Sequence, residues 1–237
     1  MLFVGFDCET TGLDVKKDRI TEVGAVLWCT ERNAPLKVFS SYMYEKTYPE
    51  ISKEITELTG ITQRDLDLYG RYPEQVLSDL LMFFDEGDFV LAHNGTNFDR
   101  PILESEMERV GAMYKDDVAW IDTSVDLPFP KGITTRKLSY LATEHGFLNP
   151  FPHRALFDVM TMLKVVSMYD TDEVVKLSKS PNLTIRAVVD YDNRKLASER
   201  GYRWNAENKM WVKTIKELNL ETETKDVPFK VLIIQEK

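Results

Sequence analysis

The chain has 237 residues, 43% of them hydrophobic and 29% charged, which is ordinary for a globular protein and enough for one full domain and a small appendage. A formal charge of −9 argues against a non-specific nucleic-acid coat, though not against an enzyme whose bound cations neutralise local acid. No stretch has the length of a transmembrane helix, and the opening run Met1 to Asp7 reaches an acid with no basic segment, so no membrane span and no signal peptide are expected. Cys8 and Cys29 lie in apolar, strand-like runs without metal-ligand spacing, which predicts buried thiols and a reducing, cytoplasmic setting.

In chain order, Met1 to Phe6 reads as a buried strand ending at Asp7. Arg19 to Trp28 and Val38 to Tyr44 are rich in β-formers, and the short connections predict an antiparallel meander. Pro73 opens an amphipathic helix to Phe84, with Val76, Leu77, Leu80, Leu81 and Phe84 on one face. A strand is expected over Asp88–Ala92, a helix over Phe98–Val110 and a short strand over Val118–Ile121. Helices follow over Lys137–His145, stopped by Gly146, and over Arg154–Tyr169. This order predicts a mixed α/β sheet with helices on its faces. The run Ser178–Asn182 breaks the pattern and reads as a linker, which divides the chain into 1–178 and 183–237.

The second segment reads as a small α+β module. It has a strand over Thr184–Val189, a helix over Arg194–Arg200, a hairpin of Tyr202–Trp204 with Met210–Lys213, and a last strand over Phe229–Ile234. Residues 182–237 carry 11 basic against 9 acidic side chains, whereas the rest carries 19 against 30. Arg203, Lys209 and Lys213 interleave with Trp204 and Trp211, as in single-strand binders. The competing reading makes the two tryptophans the core of a module too small to do without large anchors.

Three separated segments carry acids that suit a two-metal site: Phe6-Asp7-Cys8-Glu9-Thr10-Thr11-Gly12-Leu13, Leu91 to Asp99, and His153-Arg154-Ala155-Leu156-Phe157-Asp158. Asp7 and Glu9 are two apart, so an extended strand points both carboxylates to one face and turns Cys8 to the other. Asp99 follows a strand and opens a helix. Asp158 falls about one turn inside its helix, with His153 on the loop before it. Oxygen-only ligands favour Mg²⁺ or Mn²⁺, and two such ions about 4 Å apart can clamp a phosphodiester. His153 is suited to accept a proton from water near neutral pH.

Bland roles are expected for several other residues. His93 and Asn94 read as strand-end hydrogen-bonding groups, His145 as a helix C-terminal cation, Glu22 as structurally paired and Asp122 as a turn or cap residue. The stripe Leu156, Val159, Met160, Leu163 and Val166 reads as core.

Together with Arg19–Val26, Glu57–Thr62 and Asp122-Thr123, these segments resemble the DEDD superfamily of 3′→5′ exonucleases, histidine subgroup, over about residues 3–172. The third motif and Thr171-Asp172-Glu173 are most similar to its exonuclease X members. The resemblance implies a ribonuclease H-like fold and stepwise release of nucleoside 5′-monophosphates from a free 3′ end, with single-stranded DNA favoured. It implies that Asp7, Glu9 and Asp158 hold one cation and that Asp7 and Asp99 hold the second, with His153 as general base. It further implies that Thr10, Thr11 and Leu13 contact the terminal nucleotide, with Asn94 and Phe98 as further substrate contacts. Homodimerisation or a polymerase partner is compatible with this family. An exoribonuclease, a catalytically silent binding module and a scaffold with surface acids are the alternatives.

Overall fold

A computed structural model of the chain describes residues 1–112, 118–130, 132–133, 135–225 and 227–236. They group into two compact units, Met1–Leu127 with Thr135–Thr171, and Pro128–Thr134 with Asp172–Lys237. The division thus falls upstream of the expected linker at 178–182. That polar run is not a free spacer: Pro181 and Ser180 accept backbone N–H groups from Glu217 and Leu218 through a carbonyl and a hydroxyl, at 2.9 and 3.2 Å.

In the first unit, β1 (Leu2–Thr10), β2 (Ile20–Cys29) and β3 (Ala34–Tyr42) form the expected antiparallel meander. Strands β4 (Phe89–Ala92) and β5 (Trp120–Asp122) extend it in parallel, giving the order β3-β2-β1-β4-β5. Parallel neighbours need crossovers, and helices supply them. Between β3 and β4 lie α1 (Lys53–Thr59), α2 (Gln63–Tyr69) and α3 (Pro73–Phe84), and between β4 and β5 lies α4 (Asp99–Arg109). After β5 come α5 (Leu138–Glu144) and α6 (Ala155–Val166); the next helix, α7 (Thr171–Ser178), falls in the second unit but for its first residue.

Helices α1 and α2 have no signature in the hydrophobic pattern, because at seven residues each they are too short to show one. Their caps define them. Ser52 accepts the Ile55 N–H, Gly60 closes α1 at φ 74°, and Thr62 forms a reciprocal capping box with Asp65.

Alternation along β1 sorts its side chains cleanly. Val4, Phe6 and Cys8, with Val23, Ala25 and Leu27 of β2, face α3 and α4 and build the core with Val76, Leu77, Leu80, Ile102, Leu103 and Met107. Gly5, Asp7 and Glu9 face the other way, beside Gly24 and Glu22 of β2, and α6 packs there. The stripe expected on α6 is buried at Val159, Leu163 and Val166 and partly buried at Leu156 and Met160. Two glycines let this helix approach. A Cβ on Gly5 would lie 2.7 Å from Val159 Cγ1, and one on Gly24 would lie 2.4 Å from the Leu156 backbone nitrogen.

The second unit is a four-stranded antiparallel sheet, order β7-β8-β6-β9, built from β6 (Asn182–Val188), β7 (Arg203–Asn205), β8 (Met210–Lys216) and β9 (Lys230–Glu236). Helices α8 (Arg194–Glu199) and α9 (Leu220–Thr224) complete it. Its core is Leu183, Ile185, Ala187, Ala197 and Tyr202, with Trp211 packed against them. The two-tryptophan core is therefore half right: Trp204, on edge strand β7, stays 51% exposed. The expected grip by Lys213 needs correcting too. Its Nζ donates to Glu223 Oε2 at 2.7 Å and to the Arg200 carbonyl at 2.9 Å, so it holds the unit together. Among the described residues, no helix is long and apolar enough to cross a membrane.

Gly24→Ala is expected to push the start of α6 off the sheet, since the clash is with backbone and no rotamer relieves it. The expected cost is roughly 1–3 kcal/mol, read as a lower urea midpoint at unchanged slope.

Candidate active site

Asp7 and Glu9 sit on the α6 face near the end of β1, just before a register shift at Glu9/Thr10. Helix α6 brings Asp158 to them. One ligand oxygen from each of Asp7, Glu9 and Asp158 lies within 4.8 Å of the others, a group that could hold a metal ion. Asp99 lies outside this group. It is the first residue of α4, buried at 3% exposure, and Cys8 Sγ donates to its Oδ1 at 3.6 Å from the opposite face of β1.

The electrostatics of the site are those of crowded, desolvated acids. Burial pushes Asp7 well above the usual carboxylate range, and the charges of Asp99, Glu9 and Asp158 push it further. Glu9 is pushed up to about 8, by burial first and then by Asp158 and Glu22, with Arg154 opposing. Asp99 is raised to about 7 by burial, against the Cys8 thiol and backbone N–H bonds that favour its charge. A helix-start acid is ordinarily stabilised there by the dipole; at Asp99 burial outweighs it. Asp158 is also raised by burial, offset mainly by the His153 N–H.

The loop before α6 is built around Asp158. Its Oδ2 accepts the His153 backbone N–H at 2.8 Å, and its Oδ1 accepts Asn149 Nδ2 at 2.7 Å. Asn149 Oδ1 in turn accepts the Phe151 N–H at 2.9 Å. His153 adopts φ 61°, a left-handed conformation uncommon outside glycine, and its side chain is exposed. Asn149 had no signal in the sequence, because its partner is known only once the loop is folded.

Glu22 is buried and directly opposite Glu9 in the β1–β2 pair, an unfavourable juxtaposition of like charges. Arg154 offsets it, donating from Nη2 to Glu22 Oε1 at 2.8 Å and to the Tyr42 hydroxyl at 3.0 Å. The Ala155 N–H adds a bond to Glu22 Oε2 at 3.1 Å. Glu22 is thus paired structurally, and the pair anchors the first turn of α6.

Two further anchors hold the flanking loops. Buried Glu106 of α4 accepts Arg19 Nε at 2.8 Å, Arg109 Nη1 at 2.9 Å and the Ile20 N–H at 3.1 Å, tying α4 to the end of the loop that follows β1. Buried Asp122 accepts the Asn94 and Thr96 N–H groups at 2.9 and 3.1 Å and the Ser124 hydroxyl at 2.7 Å, which bears out its turn role. His93 is a hydrogen-bonding group as expected, between the Thr123 hydroxyl and the Arg136 carbonyl. His145 closes α5 by bonding through Nδ1 to the Leu141 carbonyl.

The expected substrate contacts are unequal. Thr10 Oγ1 donates to the Gly12 carbonyl at 2.6 Å, and Thr11 Oγ1 donates to Asp18 Oδ1 at 2.9 Å, so both hydroxyls hold their own loop. Leu13 is 84% exposed. Asn94 is exposed at φ 66°, and Phe98 is partly buried against the core.

Residues 4–166 match the family described as Exonuclease, and residues 183–234 match the domain of unknown function DUF8626. A DNA polymerase III PolC-type from Thermotoga petrophila is 33% identical over 195 residues, 80% of this chain and 13% of the polymerase. The chain therefore spans only a small part of such relatives. E. coli exonuclease I in complex with a dA16 oligonucleotide superposes with TM-score 0.69 at 13% identity, over 97% of this chain and 68% of that one. The nuclease domain of 3′hExo, a DEDDh family member bound to rAMP, superposes with TM-score 0.60 at 20% identity, over 70% and 90%. This chain belongs to the Exonuclease family, and its mixed five-stranded sheet is the ribonuclease H-like fold of these neighbours.

Raised carboxylates make the metal-free folded state bind more protons than the unfolded chain. Their contribution is fully present below the unfolded values of 3.8 for Asp99 and 4.5 for Glu9 and is lost as pH rises through the folded values near 7 and 8. In chelator, the denaturation midpoint should therefore fall between about pH 5 and 8. Asp7→Asn should flatten that fall, and Mg²⁺ or Mn²⁺ should reverse it in the parent protein only. A midpoint independent of pH over this window would count against the charged cluster.

Proposed function

We propose that the chain is a divalent-cation-dependent 3′→5′ exonuclease that releases nucleoside 5′-monophosphates from a free 3′ end, with single-stranded DNA as its preferred substrate. The observation that carries this reading is the closed carboxylate group of Asp7, Glu9 and Asp158, set in a chain of the Exonuclease family. The donor set fits a hard cation. It offers oxygen alone, and its mutual repulsion is relieved by positive charge. Asp7, Glu9 and Asp158 would hold one ion, and Asp7 with Asp99 the other. Mg²⁺ or Mn²⁺ bound there would lower the pKa of a water and steady the leaving oxygen.

The chain's own groups do the rest. His153 is the general base in this reading: its backbone N–H is tied to Asp158 and its side chain is exposed. Asn149 and Arg154 are positioning residues, one acting on Asp158 and the other on Glu22 beneath Glu9. Leu13 presents apolar surface for a terminal base, Thr10 and Thr11 shape the turn that carries it, and Asn94 and Phe98 bound the second loop. Free, buried Cys8 and Cys29 support a reducing, cytoplasmic setting. The PolC-type relatives support a polymerase partner ahead of a homodimer.

An exoribonuclease of the same chemistry is the second reading, favoured by the solved neighbour bound to rAMP. A silent binding module is disfavoured by the intact set of four acids and His153.

A gel time course with 5′-labelled single-stranded DNA and matched RNA, in Mg²⁺, Mn²⁺ or chelator, should show a ladder shortening from the 3′ end only with metal, and faster on DNA. Asp7→Ala should abolish it. His153→Ala should retain metal binding and lose on the order of 10²–10⁴ in rate. Uncut strands in every metal would overturn the reading.

A further inference from the structure

The sheet of the second unit has one covered face and one open face. Leu183, Ile185 and Ala187 point to the covered side, where Ala197, Tyr202 and Leu220 pack. Residues directly opposite each other in antiparallel strands share a face, so the register defines the other side. Arg203 of β7 pairs with Val212 of β8, Val212 with Arg186 of β6, and Arg186 with Leu232 of β9. These four form one row across the whole sheet. Lys230 follows two residues from Leu232, opposite Val188. Val188 is 41% exposed and Leu232 37%.

The open face therefore carries Arg186, Arg203 and Lys230, with Arg203 and Arg186 two strands apart, roughly 10 Å. A fourth cation on this side, Lys216 opposite Asn182, is buried and its Nζ donates to the Ser180 carbonyl at 3.3 Å, so it is not counted with them. None of the paired positions on this side is Asp or Glu. Arg186, Arg203 and Lys230 have no ion pair among the described residues, unlike Lys213 on the covered side. In a chain of net charge −9, a carboxylate-free face with three unpaired cations separated by aliphatic side chains is complementary to a polyanion. An open sheet surface also suits unpaired strands, whose bases can lie against it between backbone contacts. Trp204, beside Trp211 with ring centroids 5.8 Å apart, is on the covered side and is not part of this surface.

We propose that this face binds the single-stranded nucleic acid on which the first unit acts, with Arg186, Arg203 and Lys230 contacting its phosphates. The proposal rests on the exonuclease reading for its choice of ligand. It keeps Arg203 from the grip suggested by the sequence and replaces Lys209 and Lys213 with Arg186 and Lys230, which sequence spacing did not bring together.

The test uses the full chain. Binding of a long 5′-labelled poly(dT) strand is followed by fluorescence anisotropy in chelator over a salt series, and turnover of a dinucleotide is measured in Mg²⁺ or Mn²⁺. The variant carrying Arg186→Gln, Arg203→Gln and Lys230→Gln should bind the long strand roughly tenfold more weakly. Its log–log salt slope should drop by about 2, at about 0.7 per phosphate contact on a single strand. Dinucleotide turnover should not change. Lys195→Gln on α8 removes a cation from elsewhere in the unit and should leave both affinity and slope near the parent's. Unchanged long-strand affinity and slope in the triple variant would overturn the proposal, as would an equal loss in Lys195→Gln or a parallel loss of dinucleotide turnover. If the parent protein cleaves neither DNA nor RNA, the exonuclease reading fails, while the anisotropy series still decides whether this face binds a strand.

Discussion

The close approach of α6 to strands β1 and β2 is the contact on which the candidate site depends. Asp158 is some 150 positions from Asp7 along the chain, and only this docking brings their carboxylates together. Two glycines make room, at Gly5 under Val159 and at Gly24 under the backbone of Leu156. The Glu22–Arg154 pair, reinforced by the Ala155 N–H, fixes where along the sheet the helix starts. One turn further on, Asp158 necessarily lies over the end of β1. Packing, a buried ion pair and a missing Cβ therefore jointly set the geometry of three acids.

That geometry is unfavourable for the protein by itself. If both were ionised, two carboxylates 4.8 Å apart, the upper bound within this group, would repel by roughly 3–4 kcal/mol at an effective dielectric near 20, and desolvation adds to this for Asp7 and Glu9. The surrounding structure tolerates the arrangement by anchoring every flank: Glu106 binds two arginines beside the loop after β1, Asp122 holds the loop after β4, and Asn149 holds Asp158. Strain of this kind concentrates at functional sites. Here it is of the type that a doubly charged cation removes, which ties the stability of the fold to the chemistry of the site.

The second unit solves a different problem with fewer residues. Its sheet buries Leu183, Ile185 and Ala187 under two short helices and Tyr202, while its other face is open at Arg203, Val188 and Leu232. The charge asymmetry visible in the composition becomes spatial here. Lys213 is consumed internally by Glu223, whereas Arg186, Arg203 and Lys230 lie on the open side with no ion pair among the described residues.

Much of this was legible in the amino-acid order because it depends on local periodicity. An i, i+2 pair in a strand must share a face, so Asp7 and Glu9 were bound to converge. A proline at the start of an amphipathic run marks α3, and its observed bounds are those of the pattern. The meander and the hairpin of the second unit follow from strand composition and short connections. Helices α1 and α2 escaped because caps, not periodicity, define them. The pairing of Arg19 with Glu106, 87 positions apart, and of Glu22 with Arg154, 132 apart, had no local trace. The same holds for Asn149, Trp204 and the row Arg203–Val212–Arg186–Leu232. Amino-acid order alone set on which faces of their strands and helices the acids lie, and so which of them could converge. Tertiary structure alone decided which side chains meet, because that depends on how closely separate elements pack and in what register, and a single Cβ or a one-residue slip changes both.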